Sequence, residues 1–320
     1  MTRHEDLVAQ LQGLRVADDS LPFCPARSTR YKHLQLSPIP RFLFRAFSRQ
    51  SRGSTGANTA LSRDAAAQRP HAAEDIFQTR DVRSTAMIIA GHLNNDPCLK
   101  TDNLVSWTSS LLFAVQYMLY RHHASRDGSS LKDIKLCVID TSKFPPGTFI
   151  RDMDLIDAFC AGNAPLKRLQ NLRTGASRAE GPSRTDGTYY FGEYLSQGHL
   201  NIRDRCNIVS AHDMLDAGLA SLWPQFSPRD QGNLEWTEKV RRIRKELSNS
   251  ENSPYDIDRS DAEQADTALR IAALFGPDWR LPMTIHFLAL LKGALHATNI
   301  KAILTRHGLQ GISPAMPKDV

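Results

Sequence analysis

Three positions in this chain carry chemistry where a core strand has no structural use for it. Arg45 lies inside RFLFRAF (Arg41–Phe47). Ser106, Thr108 and Ser109 close the strand-like start of LVSWTSSLLFAVQY (Leu104–Tyr117). Glu193 lies in FGEYLSQG (Phe191–Gly198). An unpaired charge in an apolar interior costs roughly several kcal/mol, so a strand that carries one is expected to pair it or to bind with it. A guanidinium fork grips phosphate oxygens through two charge-assisted hydrogen bonds. A carboxylate held against a carbon that becomes cationic stabilises the developing charge. Hydroxyls both donate and accept, so they can orient the other groups. A helix starting at Ser109 would add its free N–H groups and dipole at the same spot. Two structural readings compete with this chemistry. Arg45 and Glu193 could form an ion pair across neighbouring strands, and SWTSS could serve only to cap the helix that follows.

The elements that must position these residues alternate in type. RFLFRAF reads as a strand, with phenylalanines alternating around Arg45. Leu104–Thr108 reads as a strand end, Ile134–Asp140 (IKLCVID) as a buried strand and Thr148–Arg151 as a short one. Tyr189–Leu195 and Cys206–Val209 complete the strands. Helical spacing is expected over Val82–Leu93 and over Ser109–His122, the latter with Leu111, Leu112, Val115, Met118 and Leu119 on one face. Leu155–Phe159 and Leu166–Leu172 also read as helices. Residues 49–75, 174–188 and 248–258 are rich in turn formers or polar residues and read as loops. Beyond Trp223 the pattern becomes helical throughout. Trp236, Val240, Ile243 and Leu247 share a face, and Asp261–Phe275 and Met283–His296 follow, with Pro282 at a helix start. The reading is a loosely ordered arm (1–35) with a short helix at Asp6–Leu14, a mixed α+β domain (36–230) and a helical extension (231–320).

Composition excludes several classes. Of the 320 residues, 41% are hydrophobic and 23% charged, as in ordinary globular proteins. No run is long and apolar enough for a membrane span, and the charged N-terminus does not read as a secretory signal, so the cytosol or nucleus is the expected compartment. The five cysteines, Cys24, Cys98, Cys137, Cys160 and Cys206, form no CxxC pair and suggest neither a disulfide scaffold nor a zinc ribbon. The net charge of +6 sits in the first 70 residues, with 11 Lys/Arg against 5 Asp/Glu; the other 250 residues hold 29 of each. Such an arm could meet nucleic acid or another polyanion. It lacks the aromatic interleaving that stacks bases, and a solvated segment is the simpler reading. His212, His286 and His296 have no metal spacing, no Gly-rich phosphate loop is present, and there is no GxSxG elbow.

RFLFRAF, SWTSSLLFAVQY and GEYLSQG together resemble a domain of unknown function that is widespread in filamentous fungi. Beneath that, they are similar to the Arg–Ser–Glu signature of ADP-ribosyltransferases. There, one strand brings an arginine, a later strand ends in a Ser-Thr-Ser-like triplet leading into a helix, and a third brings the catalytic glutamate. The resemblance implies a split, strongly twisted antiparallel sheet with flanking helices. It implies NAD as substrate, with Arg45 on the phosphates, Ser106, Thr108 and Ser109 as positioning groups, and Glu193 against the ribose. Breaking the nicotinamide–ribose bond passes through a cation of oxocarbenium character, as in glycoside hydrolysis, which is the chemistry a carboxylate serves. The arginine-specific members carry a second glutamate two residues before the catalytic one. Phe191 stands there, so arginine is not implied as acceptor, and the acceptor could be water. No His-Gly turn of the poly-ADP-ribose type lies near Arg45. A non-catalytic interaction module with the same fold is the alternative.

Overall fold

A computed structural model of the chain describes residues 20–79, 81–123, 127–174, 189–227, 236–250, 259–291 and 305. The expected helix at Asp6–Leu14 and the loop core at 175–188 lie outside these residues. The strands are β1 (Phe42–Phe47), β2 (Ser54–Thr55), β3 (Thr59–Leu61), β4 (Leu104–Thr108), β5 (Lys135–Asp140), β6 (Ile150–Arg151), β7 (Glu193–Gln197), β8 (His199–Asn201) and β9 (Cys206–Ser210). They form an antiparallel six-stranded sheet in the order β6-β7-β4-β1-β5-β9 and a three-stranded sheet β2-β3-β8.

The large sheet consists of two well-laddered halves. β1 pairs with β5 along its whole length, from Phe42 opposite Asp140 to Phe47 opposite Lys135. β4 pairs with β7 from Leu104 opposite Gln197 to Thr108 opposite Glu193. The halves meet at one register pair, Phe44 opposite Thr108. Beyond that rung β1 and β4 part.

Side chains alternate across each strand and so sort into two layers. Leu43, Phe47, Val105, Trp107, Cys137 and Ile139 pack on Ala60, Leu200 and Ile202 in and beside the small sheet. α1 (Arg63–Ala66) follows β3 beside the small sheet, and the other helices cover the opposite face: α2 (Val82–Leu93), α3 (Leu111–His123), α4 (Asp152–Phe159), α5 (Ala164–Thr174), α6 (Ala211–Asp216), α7 (Leu219–Leu222), α8 (Trp236–Ser250), α9 (Arg259–Ala273) and α10 (Pro277–Leu288). On this face Phe44, Ala46, Leu136 and Val138 meet α3, α8, α9 and α10 in one cluster. Leu104, Ile150 and Leu195 meet α2, α4 and α5 in another. The parting between β1 and β4 opens between these clusters. No helix among the described residues is long and apolar enough to cross a membrane.

Four expectations change. Residues 49–75 are not a plain loop: they hold β2, β3 and α1, strands too short for periodicity to reveal. Residues 20–35 are not loose, since Phe23 and Tyr31 are buried beside Phe77 and Phe159. The strand expected from Tyr189 begins at Glu193, because Gly192 takes a φ of +63° that ends extended structure. Pro282 lies inside α10, whose first turn is instead set by Pro277 after the Gly276 cap.

Candidate functional site

Arg45 springs from the face of β1 that looks toward the small sheet, and its guanidinium fills the parting. Nε donates to Thr55 Oγ1 at 3.1 Å and Nη1 donates to the Ser106 carbonyl at 2.8 Å. The second bond satisfies a carbonyl that would otherwise have joined a β1–β4 ladder. Among the described residues no carboxylate pairs with Arg45, so the charge is anchored but not neutralised. Burial, and then repulsion from Arg121, pull its pKa down to about 10. It therefore remains a cation at neutral pH. Arg121 is itself paired with Asp127 and donates to Ser48 Oγ at 2.9 Å.

Ser106 faces the helix side of the parting. Its hydroxyl lies 2.8 Å from His92 Nε2, and His92 Nδ1 lies 2.8 Å from Asp102 Oδ1 and 2.9 Å from Oδ2. A carboxylate only accepts, so the neutral ring carries its proton on Nδ1 and leaves Nε2 to accept from Ser106. Asp102 is buried and also accepts from the Leu104 N–H. Its own N–H donates to Asp64 Oδ2 at 2.9 Å, and the Asp64 N–H returns to the Asp102 carbonyl. Arg69 donates to the Lys100 carbonyl. The segment around α1 is thus the scaffold of this histidine–aspartate pair.

The rest of the serine-rich stretch does structural work. Thr108 Oγ1 donates to the Phe191 carbonyl at 2.7 Å and accepts from the Ser110 N–H at 3.0 Å. Ser110 Oγ accepts from the Phe113 N–H at 3.2 Å and caps α3, which starts at Leu111 rather than at Ser109. Ser109 is buried against Gly192, donates its N–H to the Gly192 carbonyl, and does not line the cleft. A side chain at Gly192 would strike Ser109 Oγ, so this glycine allows the close approach that places Glu193.

Glu193 does not pair with Arg45, because β4 separates their strands. Its Oε2 accepts from Arg173 Nη2 at 2.9 Å, and Arg173 also pairs with Asp152, which is fully buried. From α5, Arg173 therefore bridges Glu193 at the start of β7 and Asp152 at the start of α4.

Arg45, Ser106, Thr108 and Glu193 all line one cleft of about 430 Å³, together with His92, Asp102 and Arg173. One wall is aromatic. Phe113 stacks on Phe191 with centroids 4.9 Å apart, and Trp236 of α8 lies 4.9 Å from Phe113 and 5.2 Å from Tyr117. The C-terminal helices thus share a core with the sheet and contribute Trp236 to the cleft. The size and mixed lining suit a small organic ligand. Among the described residues no group of three or more His, Cys, Asp or Glu side chains is placed to hold a metal ion.

The chain belongs to the family described as a domain of unknown function (DUF7587), whose model matches residues 38–200. That span contains Arg45, His92, Asp102, Ser106, Thr108, Arg173 and Glu193, and stops short of Trp236. No curated protein and no solved structure matches the chain. His92, Asp102 and Arg173 were not legible as site residues. A His and an Asp within fourteen residues upstream of Ser106 were the available signal, but nothing in their spacing marks them as facing one hydroxyl.

Proposed function

We propose that the cleft binds NAD and cleaves its nicotinamide–ribose bond, passing the ADP-ribosyl group to an acceptor or to water, on an ADP-ribosyltransferase-like fold. The observation that carries this reading is the meeting of Arg45, with which no carboxylate pairs among the described residues, with Ser106, Thr108 and Glu193 in one cleft at the parting of the sheet. The arginine strand and the serine strand are neighbours there, and the glutamate strand is next to the serine strand. Arg45 offers its charge to the pyrophosphate. The aromatic wall offers faces for a planar ring. As the glycosidic bond breaks, its electron pair leaves with nicotinamide and C1′ of the ribose becomes cationic. The Glu193 carboxylate stabilises that charge, and Arg173 holds the carboxylate in place. An acceptor oxygen then bonds to C1′ and loses its proton.

Glu193→Gln tests the reading. The amide keeps the shape and loses the charge that matters when the ribose becomes cationic. Nicotinamide release should fall about 100-fold or more while the NAD dissociation constant changes little. Absence of release from the native chain, with or without candidate acceptors, overturns it. The bond from Arg173 to Glu193 favours a second reading, a non-catalytic interaction module in which that ion pair is structural. It predicts no release from the native chain and a lower melting temperature for Glu193→Gln.

A further inference from the structure

The pair Asp102–His92 behind Ser106 has no role in the chemistry just proposed, and it is more than somewhere for a serine to donate. A backbone carbonyl would satisfy an orienting hydroxyl. Here the acceptor is an imidazole nitrogen whose other nitrogen is held by a buried carboxylate at 2.8 Å, and the loop under that carboxylate is clamped by Asp64. The line ends at a hydroxyl that faces an open cleft. Beside it, Arg45 is fixed through Nε and Nη1, while Nη2 makes no hydrogen bond among the described residues. This is an anchored N–H donor lining the same cleft as a hydroxyl with a base behind it.

We propose that Ser106 is a nucleophilic serine that cleaves carboxylic esters bearing an aromatic group. His92 is its general base and acid, Asp102 is the residue that positions His92, and Arg45 Nη2 meets the oxyanion. Ser106 Oγ bonds to the ester carbonyl carbon as its proton passes to His92 Nε2, and the carbonyl electron pair moves onto oxygen opposite Arg45. The tetrahedral species collapses, the C–O bond to the alcohol breaks, and the leaving oxygen takes the proton from His92. Water then attacks the acyl-serine and gives its proton to His92; collapse releases the carboxylic acid and returns the proton to Ser106. Asp102 keeps the ring in the tautomer this cycle needs. The wall of Phe113, Tyr117 and Trp236 accepts the aromatic part of the ester. The proposal goes beyond the NAD reading and uses no NAD, so the two stand or fall separately.

An alkyl fluorophosphonate, which forms a stable phosphonyl ester with activated serines, tests the relay on the full chain without NAD. Peptide mass spectrometry should find one adduct, on Ser106, that is absent from Ser106→Ala. His92→Ala should label at least about 100-fold more slowly. Added imidazole should restore part of that rate, as replacing a missing base would and repairing a damaged fold would not. Asp102→Asn should also slow labelling. p-Nitrophenyl acetate should give a burst of p-nitrophenol that Ser106→Ala abolishes. Thermal melts check that each variant folds, and His92→Gln replaces His92→Ala if the latter does not. No adduct on the native chain, an adduct elsewhere, or labelling of the His92 variant at the native rate overturns the proposal.

Discussion

Two histidine–aspartate pairs sit in one corner of the molecule, back to back. His71 meets Asp64 at 2.9 Å and His92 meets Asp102 at 2.8 Å, and the Asp102 N–H donates to Asp64. Asp64 also binds Arg69 at 2.8 Å, so its charge is already compensated, and the His71 side chain is 42% exposed. Among the described residues no arginine pairs with Asp102, and the His92 side chain is only 10% exposed. The decisive difference is the third partner. His71 leads outward to solvent, whereas His92 leads inward to the Ser106 hydroxyl. Nearly equal distances between equal residue types therefore say little about function. What the far nitrogen touches, and whether that atom faces a cleft, says much more.

The largest effect should separate the two histidines. His92→Ala should slow serine labelling by at least about 100-fold, while His71→Ala should stay within about twofold. Equal losses would erase the contrast and reduce both pairs to scaffolding. Next come the aspartates, compared by urea unfolding. Asp64→Ala strips partners from Arg69, His71 and the Asp102 N–H and should cost about 2 kcal/mol, limited because Arg69 and His71 can turn to solvent. Asp102→Asn, which keeps the shape and one acceptor oxygen for His92 and the Leu104 N–H, should cost less stability than that.

The same distinction between a held and a solvated group runs through the arginines. Arg45→Ala should weaken NAD binding about tenfold or more, the value of a charge-assisted hydrogen bond. Arg49, with its side chain 87% exposed and 3.8 Å from Asp133, should change little. Calorimetry showing equal losses would remove Arg45 from the ligand. The smallest effect concerns the serine stretch. Ser110→Ala should cost about 1 kcal/mol by removing the α3 cap, and Ser109→Ala should lack this capping loss. A reversed order would move the helix start back to Ser109.

Much of the large sheet was legible because its strands are long enough for period-two patterning to show. RFLFRAF and IKLCVID each send alternate residues to opposite layers, and that alternation marked Arg45 as out of place. The small sheet was not legible. β2 and β3 are two and three residues long, they lie in a Gly- and Ser-rich stretch, and their partner β8 is some 140 residues further on. Ser109 read as a site residue because it continues the triplet. The turn into α3 and the close approach of Gly192 bury it, and neither feature is visible in residue types alone.

The chain by itself determined most strands of the large sheet and several of the helices, that Arg45, Ser106 and Glu193 stand in apolar surroundings, and that the described segments beyond Trp236 are helical. Those properties follow from local periodicity and from the cost of burying charge, both written in consecutive residues. Only the tertiary structure decided that β1 and β4 part after one rung, that Arg45 fills the parting while Glu193 pairs with Arg173, and that Trp236 closes the wall. It also decided that His92 and Asp102 stand behind Ser106. These depend on contacts between segments from ten to well over a hundred residues apart, where the packing of whole layers, and not any spacing along the chain, sets which side chains meet.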